Sequence, residues 1–80
     1  MLTESEERAL MERTAAGDRG AFRALFDSWY PVVYGFMKSL LPVADDASDV
    51  AQEVFIKLWL MRAALPDIMS LRLYLYRMSL

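Results

Sequence analysis

Eighty residues set a limit of one small domain, read here as a single unit over residues 1–80. With 56% apolar and 12% aromatic residues the chain can build a compact core, and with no Cys and no His it excludes disulfides, thiolate nucleophiles, Cys/His zinc sites and the usual general base near neutral pH. The net charge of −2 lacks the basic excess common in a free-standing nucleic-acid binder.

In chain order, the residues predict helices. Thr3 and Glu6 have the spacing of a capping box, opening a first helix that runs to about Ala16. Leu10 and Met11 are its main apolar contacts, so it reads as a thin cover on the core. Gly17 suits the left-handed residue that ends a helix, and Asp18 suits the cap of the next. The second helix carries Phe22, Leu25, Phe26, Trp29, Val33, Phe36, Met37 and Leu40 on one wide stripe. Pro31 interrupts the backbone ladder, so a kink near Asp27–Pro31 is expected within one helix, because the stripe keeps its phase across the proline. Pro42 points to a loop.

The third helix is expected from Ala44–Asp46 to about Ala63. Ala47, Ala51, Val54, Leu58 and Met61 form a seam for packing against other helices, widened by Val50 and Phe55. Pro66 separates it from a fourth helix capped by Ser70 and running through Leu71, Leu75 and Met78. No stop signal precedes Leu80, so the fourth helix reads as incomplete. The fold class is all-α, a small three- to four-helix bundle. There is no signal-like start and no apolar run of about 20 residues, so the cytoplasm is the expected compartment.

Charge is uneven along the chain. Residues 41–56 hold Asp45, Asp46, Asp49 and Glu53 without a base, whereas residues 57–80 hold Lys57, Arg62, Arg72 and Arg77 against Asp67. The third helix also has a second stripe, Asp49, Gln52, Glu53, Ile56 and Leu60, about 100° or more from the seam. Aliphatics beside hydrogen-bonding groups on an outer face suggest a partner surface. The alternative is a solvated face whose Ile56 and Leu60 tuck under the first or fourth helix. Asp49 and Glu53 lie four residues apart, but no third ligand type or nucleophile accompanies them. No enzyme activity, metal or cofactor is expected. Trp29, Tyr30, Tyr34, Phe36, Phe55 and Trp59 have the spacing of core residues. Tyr74, Tyr76 and Arg77 form a small aromatic and basic cluster of the kind that meets single-stranded DNA.

Ala15-Ala16-Gly17-Asp18, Ala21-Phe22, Leu25-Phe26, Tyr30-Pro31 and Tyr34 resemble the opening of bacterial sigma factors of the extracytoplasmic-function group. Asp46 to Trp59 is similar to that family's region 2.2, with Asp49, Gln52, Glu53 and Phe55 in the motif, and Ser70 to Met78 resembles the start of region 2.3. The resemblance covers roughly residues 8 to 80. It implies a sigma factor region 2 domain. It also implies docking on the clamp helices, a coiled coil of the β′ subunit of RNA polymerase, through Asp49, Gln52 and Glu53 with Ile56, Lys57 and Leu60 beside them. Arg72, Tyr76 and Arg77 would lie near DNA. The family's later part of region 2, which captures a flipped base of the −10 promoter element, and its region 4 are not in these residues. Promoter DNA is therefore expected as a partner of a full-length protein alone. Family members are often held inactive by an anti-sigma factor covering the same region. Pro42 stands where the family often has Gly, and Leu60 and Met61 are more apolar than usual. The exposed apolar surface would also favour self-association. The reading from another class is a small helical interaction or homodimerisation domain.

Overall fold

The computed structural model describes residues 2–80. Four α-helices, α1 (Glu4–Ala15), α2 (Arg19–Leu40), α3 (Ala44–Leu60) and α4 (Leu71–Ser79), are joined by short links, with a 3-10 segment, Arg62–Asp67, between α3 and α4. The 22 residues of α2 rise about 33 Å, which accounts for most of the 36 Å long axis. α1 packs on α2 and on the 3-10 segment, α3 packs on α2, and α4 closes against α2 and α3.

The helix starts follow local chemistry. Thr3 Oγ1 accepts the Glu6 N–H while the Glu6 carboxylate accepts the Thr3 N–H, a closed capping box. Gly17 takes φ +96°, a left-handed turn, and Asp18 then accepts the Ala21 N–H at 3.0 Å. Ser70 accepts the Leu73 N–H at 3.3 Å. α3 has no side-chain cap, since Val43 occupies that position, and its first turn instead carries Asp45 and Asp46, favoured there by the helix dipole.

The buried line of α2 is Ala21, Leu25, Trp29, Val33 and Met37. It faces Ala47, Ala51, Val54, Phe55 and Leu58 of α3. Ala47 and Ala51 are fully buried and small, which favours close approach of the two helices. α2 is continuous through Pro31, which is exposed. Phe22, Phe26 and Phe36 of the predicted stripe are half-buried and Leu40 is exposed. The stripe is wider than the line that one pair of neighbours covers.

Two expectations need correction. α1 is more than a thin cover. Met11 and Thr14 are fully enclosed, with Thr14 Oγ1 donating to the Leu10 carbonyl at 2.7 Å. The Arg8 guanidinium also donates to the carbonyls of Pro66 and Met69, tying α1 to the link before α4. α3 ends at Leu60, short of Ala63. Pro66 would clash with the carbonyl four residues earlier and disfavours α geometry at Leu65. The chain tightens into the 3-10 turn and buries Leu65 completely. Met61 therefore leaves the seam and, half-buried, accepts the Tyr74 O–H on its sulfur at 3.0 Å.

Candidate protein-docking surface

The second stripe of α3 faces solvent throughout. Asp49, Gln52, Glu53, Ile56, Lys57 and Leu60 are all exposed, with Ile56 at 59% and Leu60 at 74% of their full accessibility. Those two values exclude tucking under α1 or α4. The seam side chains Ala47, Ala51, Val54, Phe55 and Leu58 point inward from the same helix.

The acidic row is not neutralised internally. The ion pairs among the described residues are Arg13–Asp18 and Arg23–Asp27, both at 2.9 Å and neither on α3. Asp49, Glu53 and Lys57 thus keep their charges for solvent or a partner. Among the described residues no three carboxylates converge as metal ligands would. The Gln52 amide nitrogen donates to Ser48 Oγ at 3.1 Å, and Ser48 Oγ lies 3.2 Å from the Tyr30 hydroxyl of α2.

Beside this row lies a mainly apolar groove of about 480 Å³ between α2 and α3, lined by Phe22, Phe26, Tyr30, Phe55 and Trp59 together with Gln52, Ile56 and Leu60 of the row itself. Its walls are an aromatic lattice. Phe22 meets Trp59 at 5.1 Å, Phe26 meets Phe55 at 5.1 Å in an edge contact, and Phe26 stacks on Tyr30 at 4.9 Å. The Arg62 guanidinium sits 4.2 Å from the Trp59 ring centre and donates to the Trp59 carbonyl at 3.0 Å, fixing that ring at the groove's end. Arg19 and Arg23 flank the continuation of the groove along α2. By spacing alone Phe55 and Trp59 read as core and Phe22 and Phe26 as part of the α2 stripe. Phe55 is buried as expected; Phe22 and Phe26 are half-buried because the α2 stripe is wider than its neighbours cover, which is the signal that points to them, and Trp59 is half-buried beside them.

A separate cleft, of about 330 Å³, lies where α1 meets the start of α4. It is lined by charges of both signs, Glu4, Glu7, Arg8 and Arg72. Trp29 borders it with a buried indole nitrogen that closes no full hydrogen bond, and burial pushes the Glu7 carboxyl upward while its interaction with that indole pulls it part of the way back.

The residues placed near DNA have three different surroundings. The Arg72 guanidinium lies 5.3 Å from the Trp29 ring centre, Tyr76 packs against Phe36 at 4.8 Å, and Arg77 is exposed. Tyr74 is spent on the Met61 contact. No helix among the described residues is long and apolar enough to cross a membrane.

Residues 25–79 match the Sigma-70 region 2 family. The chain is 39% identical over 57 residues to the RNA polymerase sigma-H factor of Pseudomonas aeruginosa, a match covering 71% of this chain and 30% of that protein. No solved structure matches the chain. The all-helical fold agrees with the family match, which takes in α3 and α4 whole and α2 from Leu25 onward: the chain belongs to the Sigma-70 region 2 family.

Proposed function

We propose that this chain is the polymerase-docking region of a transcription initiation factor of the extracytoplasmic-function group. Its α3 binds the β′ clamp helices of RNA polymerase through Asp49, Gln52 and Glu53, with Ile56, Lys57 and Leu60 alongside. The observation that carries this reading is the unneutralised, exposed acceptor row set beside exposed aliphatics. Carboxylates and an amide complement a basic, polar coiled coil, and flanking apolar side chains exclude water around them. The aromatic groove gives the same face a centre into which an anchor side chain of the partner fits.

In the longer protein the same reading assigns promoter DNA to the α4 side, where Arg77 is exposed, with Arg72 and Tyr76 nearby in sequence. An anti-sigma factor would act by covering the α3 face. The chain spans 30% of the length of the curated relative it matches.

The test is a titration against isolated β′ clamp helices, beside a Gln52→Ala/Glu53→Ala variant checked by circular dichroism. The expected result is binding by the wild type and at least a tenfold loss in the folded variant. A well-folded wild type that does not bind would overturn the reading. Self-association through the Ile56–Leu60 face is the second reading, favoured by the 74% exposure of Leu60. Under it, sedimentation would show a concentration-dependent dimer that Leu60→Ser returns to monomer.

A further inference from the structure

The residues from Pro66 to Ser70 carry the chain between two buried anchors, Leu65 and Leu71. Of these, Ile68 packs partly against the core, whereas Pro66, Asp67, Met69 and Ser70 are exposed, Met69 at 93%. A stretch with one apolar foothold has several paths open to it, and ordering it on one of them costs conformational entropy. Arg8 selects the path. Half-buried on α1, it donates through one guanidinium nitrogen to the Pro66 carbonyl at 3.4 Å and through the other to the Met69 carbonyl at 3.2 Å. The polarity of both bonds is fixed, since a guanidinium only donates and a carbonyl only accepts. The planar fork joins two carbonyls from either end of the link, which the single ammonium of a lysine does not match.

A second contact acts on the first turn of α4. That turn holds Arg72 and no acidic residue, the reverse of what the helix dipole favours. The offset comes from other helices. The Arg72 guanidinium lies 5.3 Å from the ring centre of Trp29 on α2, and the Glu7 carboxylate of α1, in the same cleft, attracts it. Glu7 and Arg8 are neighbours on α1, so one turn of that helix holds both the approach to α4 and its first turn. Neither contact involves α3, whose seam is pressed on α2. α1 precedes the span that matches the Sigma-70 region 2 family, while Trp29, the link and α4 up to Ser79 lie within it.

Resting on the assignment of promoter DNA to the α4 side, we infer that α1 is a brace for that side alone: Arg8 is a positioning residue whose fork on the Pro66 and Met69 carbonyls fixes where α4 starts, while the docking face of α3 is independent of it. The basic side chains of α4 are then presented to DNA from a set position, and that position is held by a helix that itself lies outside both proposed interfaces.

Amide hydrogen exchange of the free chain tests the brace. Arg8→Met keeps the apolar stem and removes the donors. It should speed exchange about fivefold or more at Ile68, Leu73 and Tyr74, whose N–H groups close the bonds around the start of α4. Val54, Phe55 and Leu58 in the α3 seam should stay within about twofold of wild type. Arg8→Lys, which keeps the charge but loses the fork, should fall between the two at Ile68, Leu73 and Tyr74. A merely structural loss would speed both groups by the same factor and would overturn the inference, as would no change at the first group. Affinity for the β′ clamp helices should hold within about twofold in both variants, and a larger loss would contradict the independence of the α3 face. In the longer protein bound to polymerase, Arg8→Lys should lower promoter opening, read as permanganate reactivity of unpaired thymines, about threefold to tenfold. Opening at the wild-type level by Arg8→Lys would overturn the inference, since charge alone would then suffice. If the wild type itself opens no promoter, the DNA assignment falls and the exchange pattern alone decides the brace.

Discussion

The two faces of α3 are built from one 17-residue stretch and differ in almost every physical respect. The inner face, Ala47, Ala51, Val54, Phe55 and Leu58, is apolar, essentially inaccessible and pressed on α2. The outer face, Asp49, Gln52, Glu53, Ile56, Lys57 and Leu60, is charged and aliphatic together and wholly exposed. The inner face holds the domain together. The outer face contributes little to that, yet it keeps two large aliphatics in water, where a purely solvated face would carry polar groups. Stability and recognition are therefore separable on this helix, one face for each.

The inner face is the more sensitive of the two to truncation. Leu58→Ala removes a fully buried side chain and should cost about 2–5 kcal/mol. In a domain of this size that is a large share of the total stability. Urea unfolding followed by circular dichroism should show the loss, and docking should fail in proportion to the unfolded fraction. Truncation on the outer face should act on binding instead. Ile56→Ala with Leu60→Ala should change stability by no more than about 0.5 kcal/mol, and should weaken clamp-helix binding by about 1–2 kcal/mol, roughly tenfold. A drop in the unfolding midpoint similar to that of Leu58→Ala would mean that the outer face is a packing surface after all.

A third substitution, remote from α3, serves as a control. Gly17 has φ +96°, so Gly17→Ala strains the α1–α2 turn although nothing crowds the added carbon. It should lower stability by about 1 kcal/mol and leave the affinity of the folded domain unchanged.

The smallest effect is in the pH dependence. The Ala21 N–H and the Arg13 guanidinium hold the Asp18 carboxyl below its ordinary range, and the Thr3 backbone and side chain do the same for Glu6. A depressed folded-state pKa means stability that is present above the ordinary carboxylate range and lost as pH falls through the folded value. Glu7 has the opposite sign. Burial raises its pKa, so its contribution is full below the ordinary glutamate range and fades as pH rises through the raised value. Acid unfolding of Asp18→Asn should have a shallower limb than wild type. Glu7→Gln should lift stability slightly near neutral pH, with docking unaffected in both, since neither residue lies on α3.

Much of this was legible in the sequence for a plain reason. Capping boxes, N-cap side chains and a left-handed glycine are local, so Thr3, Glu6, Gly17, Asp18 and Ser70 announce their roles without reference to the rest of the chain. Helical periodicity separates the seam of α3 from its second stripe, and the motif Asp49, Gln52, Glu53 and Phe55 carries the family resemblance that the Sigma-70 region 2 match supports. What periodicity lacks is knowledge of which neighbour covers which stripe. Only the packed structure decides that Ile56 and Leu60 stay in water, that Phe22, Phe26 and Trp59 line a groove beside them, and that α3 yields to a 3-10 turn so that Leu65 can enter the core. Contacts between residues far apart in the chain, such as Arg8 on the Pro66 carbonyl or Tyr30 beside Ser48, are likewise absent from any local pattern. The chain's own chemistry sets where helices begin and which faces they offer. The competition among those faces for one small core decides which of them is left for a partner.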